Sequence, residues 1–226
     1  MELFHVLNRG VEKRDIVLDD MDRARFVHDL FEFNDATPAG STYWSFKKDP
    51  PPYLDLRSPD MLPRRREQIV SIHGWCLMGN HYHLLLSEQK EGGITKFIRK
   101  LNIGYAKYFN ERYKRSGALF QGRTKKKHID NHAYFLYILH YIHLNPLDFL
   151  KEASCWREKN LRNTARAMAH LRKYRWSSFL DYIDIKNFPS VIDTSLFRDI
   201  FRGYEKELSN YLKEMEAEIL KNIALE

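Results

Sequence analysis

The chain has 226 residues, 43% hydrophobic and 14% aromatic, enough to bury one globular core with or without an appendage, which excludes collagen-like, disordered and repeat-array architectures. Lysine and arginine number 37 against 30 acidic residues, and the net charge of +7 favours an anionic partner, nucleic acid or an acidic surface. The two cysteines, Cys76 and Cys155, form no Cys-x-x-Cys pair; with no long uninterrupted apolar stretch and no signal-like start, the sequence reads as a cytoplasmic protein without a membrane partner.

Residues 2–8 alternate and close on Asn8-Arg9-Gly10, which predicts a short opening strand ended by a turn. Asp19 and Asp20 precede a helix over 21–33, whose Phe26, Val27, Leu30 and Phe31 share one face. Six prolines then bar long regular elements from 34 to 66, a segment read as an inserted loop. Two β-branched and apolar runs, 68–78 and 81–88, flank Gly79-Asn80 and predict a hairpin. Gly92-Gly93 leads into a helix over 94–115, and 119–129 predicts a strand. From an N-cap at Asp130, an apolar helix runs to Leu144, where Asn145-Pro146 stops it. A basic helical segment (157–172), the run Tyr174 to Phe179, and a helix over 195–220 complete the chain.

The order β-α-loop-β-β-α-β-α predicts an α+β fold, a ferredoxin-like antiparallel sheet with helices packed on one face and a helical C-terminal extension. The corresponding division is 1–150, including the 34–66 insertion, and 151–226.

Between 96 and 127 stand eleven basic side chains against one acid, Glu111, interleaved with aromatic residues. A segment so lopsided suits phosphate neutralisation and stacking on unpaired bases, although each residue taken alone is equally well a solvated helix face. Lys96, Arg99, Lys100, Lys107, Arg123, Lys125, Lys126 and Lys127 are the candidate contacts, joined by Arg9 at the end of the first strand.

His81 and His83 flank Tyr82, and the two-residue period of a strand points both imidazoles to one face, where they could share a metal ion. A His-x-His pair alone more often belongs to a surface or core. Tyr141 and Asn145 lie one helical turn apart, so a helix crossing the sheet could bring a phenol and an amide to that pair. The stripe Tyr134, Tyr137 and Tyr141 equally suits core packing, and spacing alone does not select among these tyrosines. His73, His140 and His143 are read as packing or surface residues, and Trp176 as an anchor for the C-terminal segment.

Taken together, Gly74 to Leu86, the basic helix running into Arg115 to Lys127, Tyr141 to Pro146 and Arg175 to Phe179 resemble the single-tyrosine transposases of the HUH superfamily, and among these the REP-associated tyrosine transposases. The opening strand and the acidic run before the first helix share the likeness, which touches most of residues 2–182. The resemblance implies that 1–150 is a catalytic domain, that His81 and His83 bind a metal, that Asn145 completes the metal site and that Tyr141 is the nucleophile. It also implies cleavage and rejoining of single-stranded or hairpin DNA through a 5′-phosphotyrosine. Mg²⁺ or Mn²⁺ suits such a site, with zinc allowed by ligand type. The insertion, the long basic stretch after Pro146 and the tail depart from the family pattern and leave the DNA target, and monomer against homodimer, open. Two further readings stand beside it: a nucleic-acid-binding protein with the same fold and no chemistry, and a nuclease that uses water.

Overall fold

In a computed structural model of the chain, the described residues are 1–37, 66–153, 155–159 and 161–223; most of the proline-rich segment lies outside them. Four strands, β1 (Leu3–Arg9), β2 (Val70–Leu77), β3 (His81–Glu88) and β4 (Lys125–His128), form one antiparallel sheet in the order β2-β3-β1-β4. With α1 (Asp20–Glu32) between β1 and β2 and α2 (Gly93–Arg112) between β3 and β4, this is the split βαβ arrangement predicted from the element order.

Alternation along the strands sends their side chains into two cores. On one face Val6, Tyr82, Leu84 and Leu86 pack against Phe26, Leu30, Phe97 and Leu101 of α1 and α2. A polar hub locks these helices together: Asp22 accepts hydrogen bonds from Arg112 (2.6 Å), Tyr113 (2.8 Å) and Tyr108 (3.0 Å). The opposite face is covered by α3 (His132–Leu144) and by the C-terminal helices α4 (Thr164–Lys173), α5 (Phe179–Tyr182), α6 (Ser195–Ile200) and α7 (Tyr204–Ile223), so the C-terminal extension shares a core with the sheet.

Gly74 lets α3 lie close on the sheet. A Cβ there would stand 3.0 Å from Leu139 Cδ1 and 3.9 Å from Ile142 Cδ1, so even an alanine would require the Leu139 tip to give by a few tenths of an ångström. The free side of β2 is closed by the Trp176 segment, where Leu77 N–H donates to Trp176 O (2.9 Å) and Ser178 N–H to Trp75 O (3.0 Å). Trp176 stacks on Phe188 and is buried, the anchor that the sequence suggests.

Several element boundaries differ from expectation. The fourth strand is only four residues long, because Gly122 takes a left-handed φ of 57° and interrupts the run from Leu119. Asn131 rather than Asp130 caps α3, its side chain accepting from Tyr134 N–H at 2.8 Å. The basic segment yields a helix only from Thr164, capped by Asn163, and the C-terminal helix breaks into α6 and α7 before Gly203, whose φ is 83°.

Candidate active site

The site lies on the α3 side of the sheet. Pairing of β1 with β3 sets Leu7 opposite His83 and Arg9 opposite His81, and pairing of β1 with β4 sets His5 opposite Lys127 and Leu7 opposite Lys125. Residues paired across an antiparallel ladder share a face, so His5, Arg9, His81, His83, Lys125 and Lys127 all project to the side that α3 covers. The ring centroids of His81 and His83 are 5.0 Å apart, and those of His5 and His83 5.1 Å. Tyr141, in the last turn of α3, stands perpendicular to His83 with centroids 5.5 Å apart, and 5.8 Å from His5. The structure therefore brings together the phenol and the two imidazoles singled out in the sequence.

Hydrogen bonds orient the imidazoles. His81 Nδ1 lies 2.6 Å from Asn80 Oδ1, which accepts only, so Nδ1 carries the proton and Nε2 keeps its lone pair. His83 Nδ1 lies 2.9 Å from His5 Nε2, and His5 Nδ1 lies 3.2 Å from the Tyr134 hydroxyl. Two proton arrangements satisfy this chain; the one in which His83 Nδ1–H donates to His5 Nε2 and His5 Nδ1–H to the Tyr134 oxygen leaves the lone pair on His83 Nε2 free for a metal. Burial, aided by the Arg9 guanidinium, lowers His81 to a pKa of about 4. Burial holds His83 well below the ordinary imidazole value, with His5 and His81 adding to it. His5 is brought to about 4 by burial and by Lys127. Neutral imidazoles with one nitrogen tied to a neighbour and the other carrying a lone pair suit metal ligation.

Asn145, expected to complete the metal site, has its side chain held by protein partners. It ends α3, fully buried, and its Nδ2 donates to the Tyr141 carbonyl at 2.7 Å, satisfying an orphan carbonyl of the last turn. Its Oδ1 accepts from Arg157 Nη2 at 2.7 Å, so both polar ends of the amide are engaged within the protein. Among the described residues, no group of three or more His, Cys, Asp or Glu side chains is arranged around a common point for a metal. The imidazoles of His81 and His83 remain the donors singled out for such an ion.

Arg157, Asp148 and Trp156 complete the surroundings of Tyr141, and sequence reasoning passed over all three. Trp156 Nε1 donates to Asp148 Oδ1 at 2.9 Å, Arg157 pairs with the same carboxylate, and the guanidinium carbon lies 5.9 Å from the Tyr141 ring centre. Burial works against the Arg157 charge, but Asp148 and the Tyr141 hydroxyl outweigh it and raise its pKa. The only sequence signal for Arg157 was its place in a basic stretch, which does not tell it apart from its neighbours.

The predicted basic contacts divide between the two layers. Lys96, Arg99, Lys100 and Lys107 belong to α2, across the sheet from the histidines, and Lys96 and Lys100 donate to the carbonyls of Ala36 and Asp35 at 3.0 and 2.6 Å. Arg123, Lys125, Lys126 and Lys127 are exposed, with the ammonium of Lys126 over the Phe4 ring and that of Lys127 over Tyr134. Arg9 adjoins His81 with its Nε buried and lacking a hydrogen-bond partner.

Residues 64–145 match the model of a family described as IS200-like transposases. That segment runs from just before β2 to the end of α3 and contains His81, His83, Tyr141 and Asn145, while His5, Arg9, Asp148 and Arg157 lie outside it. Over that segment the match agrees with the transposase likeness drawn from the motifs. A solved structure of a REP-associated tyrosine transposase bound to a REP hairpin is similar at a TM-score of 0.46 and 13% identity, over 86% of this chain and 87% of that one. No curated protein matches the chain significantly. Among the described residues no helix is long and apolar enough to cross a membrane.

Proposed function

We propose that the chain is a metal-dependent single-tyrosine transposase or nickase that cleaves and rejoins single-stranded or hairpin DNA. The observation that carries this reading is the perpendicular approach of the Tyr141 ring to His83, centroids 5.5 Å apart, between a helix and a strand about sixty positions apart in sequence. His81 and His83 would hold a divalent ion, Mg²⁺ or Mn²⁺, through their Nε2 atoms, while Asn80, His5 and Tyr134 fix the ring orientations. When bound, such an ion polarises the scissile phosphate and offsets the charge that builds on it.

The phenol oxygen of Tyr141 forms the new bond to phosphorus as the bond from phosphorus to the 3′-oxygen breaks. The phenol proton passes through solvent to the departing 3′-oxygen. A 5′-phosphotyrosine and a free 3′-hydroxyl result, and attack by the 3′-hydroxyl of another end reverses the exchange without a nucleotide cofactor. Phenol and imidazoles belong to one chain, which supports cleavage in cis and requires no second copy. Arg9, Lys125 and Lys127, on the histidine face, are the basic side chains best placed to receive the DNA backbone, and 1–150 is the catalytic part of the chain in this reading.

Tyr141→Phe tests the assignment. With a library of DNA hairpins bearing randomised single-stranded flanks and Mn²⁺, the unaltered chain should give a protein–DNA adduct in denaturing electrophoresis, and the variant none while still binding. An adduct that persists in Tyr141→Phe would move the nucleophile elsewhere, with Tyr137 next in line. The engaged amide of Asn145 favours one second reading, a nucleic-acid-binding protein without chemistry. Undiminished binding in EDTA with no cleavage in Mn²⁺ across the library would establish it.

A further inference from the structure

The site holds a cation that neither the matched family segment nor the sequence motifs supply. Arg157 lies in a short 3-10 turn of the C-terminal extension (Trp156–Glu158), twelve positions beyond Asn145. Its guanidinium is gripped on two sides, by Asn145 Oδ1 at 2.7 Å and by the Asp148 carboxylate, and lies against the rings of Tyr141 and Trp156. Asn145 is in turn held by the Tyr141 carbonyl, so the nucleophile's own backbone anchors the clamp. A guanidinium has five N–H donors, of which Asn145 and Asp148 occupy one each through Nη2 and Nη1, and the side chain remains 37% exposed, so it is within reach of an incoming phosphate.

We propose that Arg157 is a catalytic residue of the strand-transfer reaction, meeting the negative charge on the Tyr141 oxygen and the phosphate oxygens as the new bond forms, with Asn145 and Asp148 as its positioning residues. This role rests on the transposase reading and extends it. Arg157 exchanges no proton; its charge is fixed and its planar fork is set before DNA arrives, which is where preorganised donors act most strongly. The assignment also gives the fully buried Asn145 a function other than metal ligation: its side chain couples the end of α3 to the guanidinium.

The experiment compares Arg157→Ala, Arg157→Lys and the unaltered chain for single-turnover adduct formation on the same hairpin library in Mn²⁺. Binding of that library is measured separately by fluorescence anisotropy. Arg157→Ala should slow adduct formation about 10²–10³-fold with less than about threefold change in binding, and millimolar guanidinium ion should restore at least about tenfold of the lost rate. Arg157→Lys, which keeps the charge without the fork, should fall between the two. Adduct formation in Arg157→Ala within about twofold of the unaltered chain overturns the role. So does a loss that guanidinium ion does not restore and that is matched by lost binding, which would mark Arg157 as a brace. If the unaltered chain forms no adduct, the transposase reading fails and this role with it; an adduct in the unaltered chain and an equal one in Arg157→Ala rejects the arginine alone.

Discussion

The two faces of one sheet have been given different tasks, and β3 shows the division residue by residue. Its even positions, Tyr82, Leu84 and Leu86, bury apolar or well-bonded side chains against α1 and α2, with the Tyr82 hydroxyl donating to Asn102 Oδ1 at 2.7 Å. Its odd positions, His81 and His83, meet His5, Tyr141 and Arg9 on the other side. Adjacent residues on one strand thus belong to different layers: the α1–α2 side is an apolar core, and the α3 side gathers the imidazoles and the Tyr141 ring. A one-residue slip of β3 would exchange them, which is why the register needs an apolar layer deep enough to enforce it.

Neighbouring substitutions should separate the layers. His83→Ala should abolish high-affinity Mn²⁺ binding, measured by calorimetry, and Mn²⁺-dependent adduct formation. Leu84→Ala, one residue on, should cost about 2–5 kcal/mol in denaturant unfolding and leave Mn²⁺ affinity within about threefold. If Leu84→Ala reduces metal affinity as much as His83→Ala does, the division is wrong.

The α3 layer should also be the pH-sensitive one. His5, His81 and His140 are depressed to about 4 by burial, His83 and His143 are held well below the ordinary value, and His73 is lowered as well. Each therefore has a folded pKa below its unfolded value near 6.5, so its contribution to stability is complete above about pH 6.5 and is lost as the pH falls toward 4. The buried carboxyls Asp181, raised to about 6, and Asp29, also raised, act in the opposite sense, losing their contribution as pH rises, but two carboxyls oppose six imidazoles. Metal-free protein should melt at least roughly 5 °C lower at pH 5 than at pH 7, and His140→Gln should flatten that slope. A melting temperature that is level across the window would mean that the imidazoles are more hydrated than their burial implies.

The smallest effect concerns the lysines of β4. Lys125 and Lys127 share the histidine face and Lys126 does not, so Lys127→Ala should reduce the salt dependence of hairpin binding by about one unit of slope. Lys126→Ala should change it by clearly less, and equal effects would mean that the DNA follows the strand's outer edge rather than the histidine face.

Local features were legible in the sequence. The hairpin around Gly79-Asn80 and the common face of His81 and His83 follow from periodicity and turn chemistry, which act over a few residues; the proline after Asn145 does not turn the chain out of the α region, since Asn145 stays there and a 3-10 turn follows. Non-local features were hidden. His5 becomes a neighbour of His83 only through the register of β1 on β3, and Arg157 reaches Tyr141 only through a turn packed under α3. The charge run from 96 to 127 looked like one surface because sequence order does not reveal that α2 and β4 lie in different layers. Tyr141 itself was singled out by family likeness, since the stripe it shares with Tyr134 and Tyr137 offers no local reason to prefer it.

Both rims of the sheet are defended. The outer backbone of β2 is taken up by the strand-like turn at Trp176 to Ser178, and β4 is a short rim of three consecutive exposed lysines followed by an exposed histidine. Two copies approaching through β4 would set ammonium groups against ammonium groups, and approach through β2 would first have to peel off the chain's own C-terminal segment. Among the described strands, continuing the sheet from one molecule into the next is thereby disfavoured at both rims.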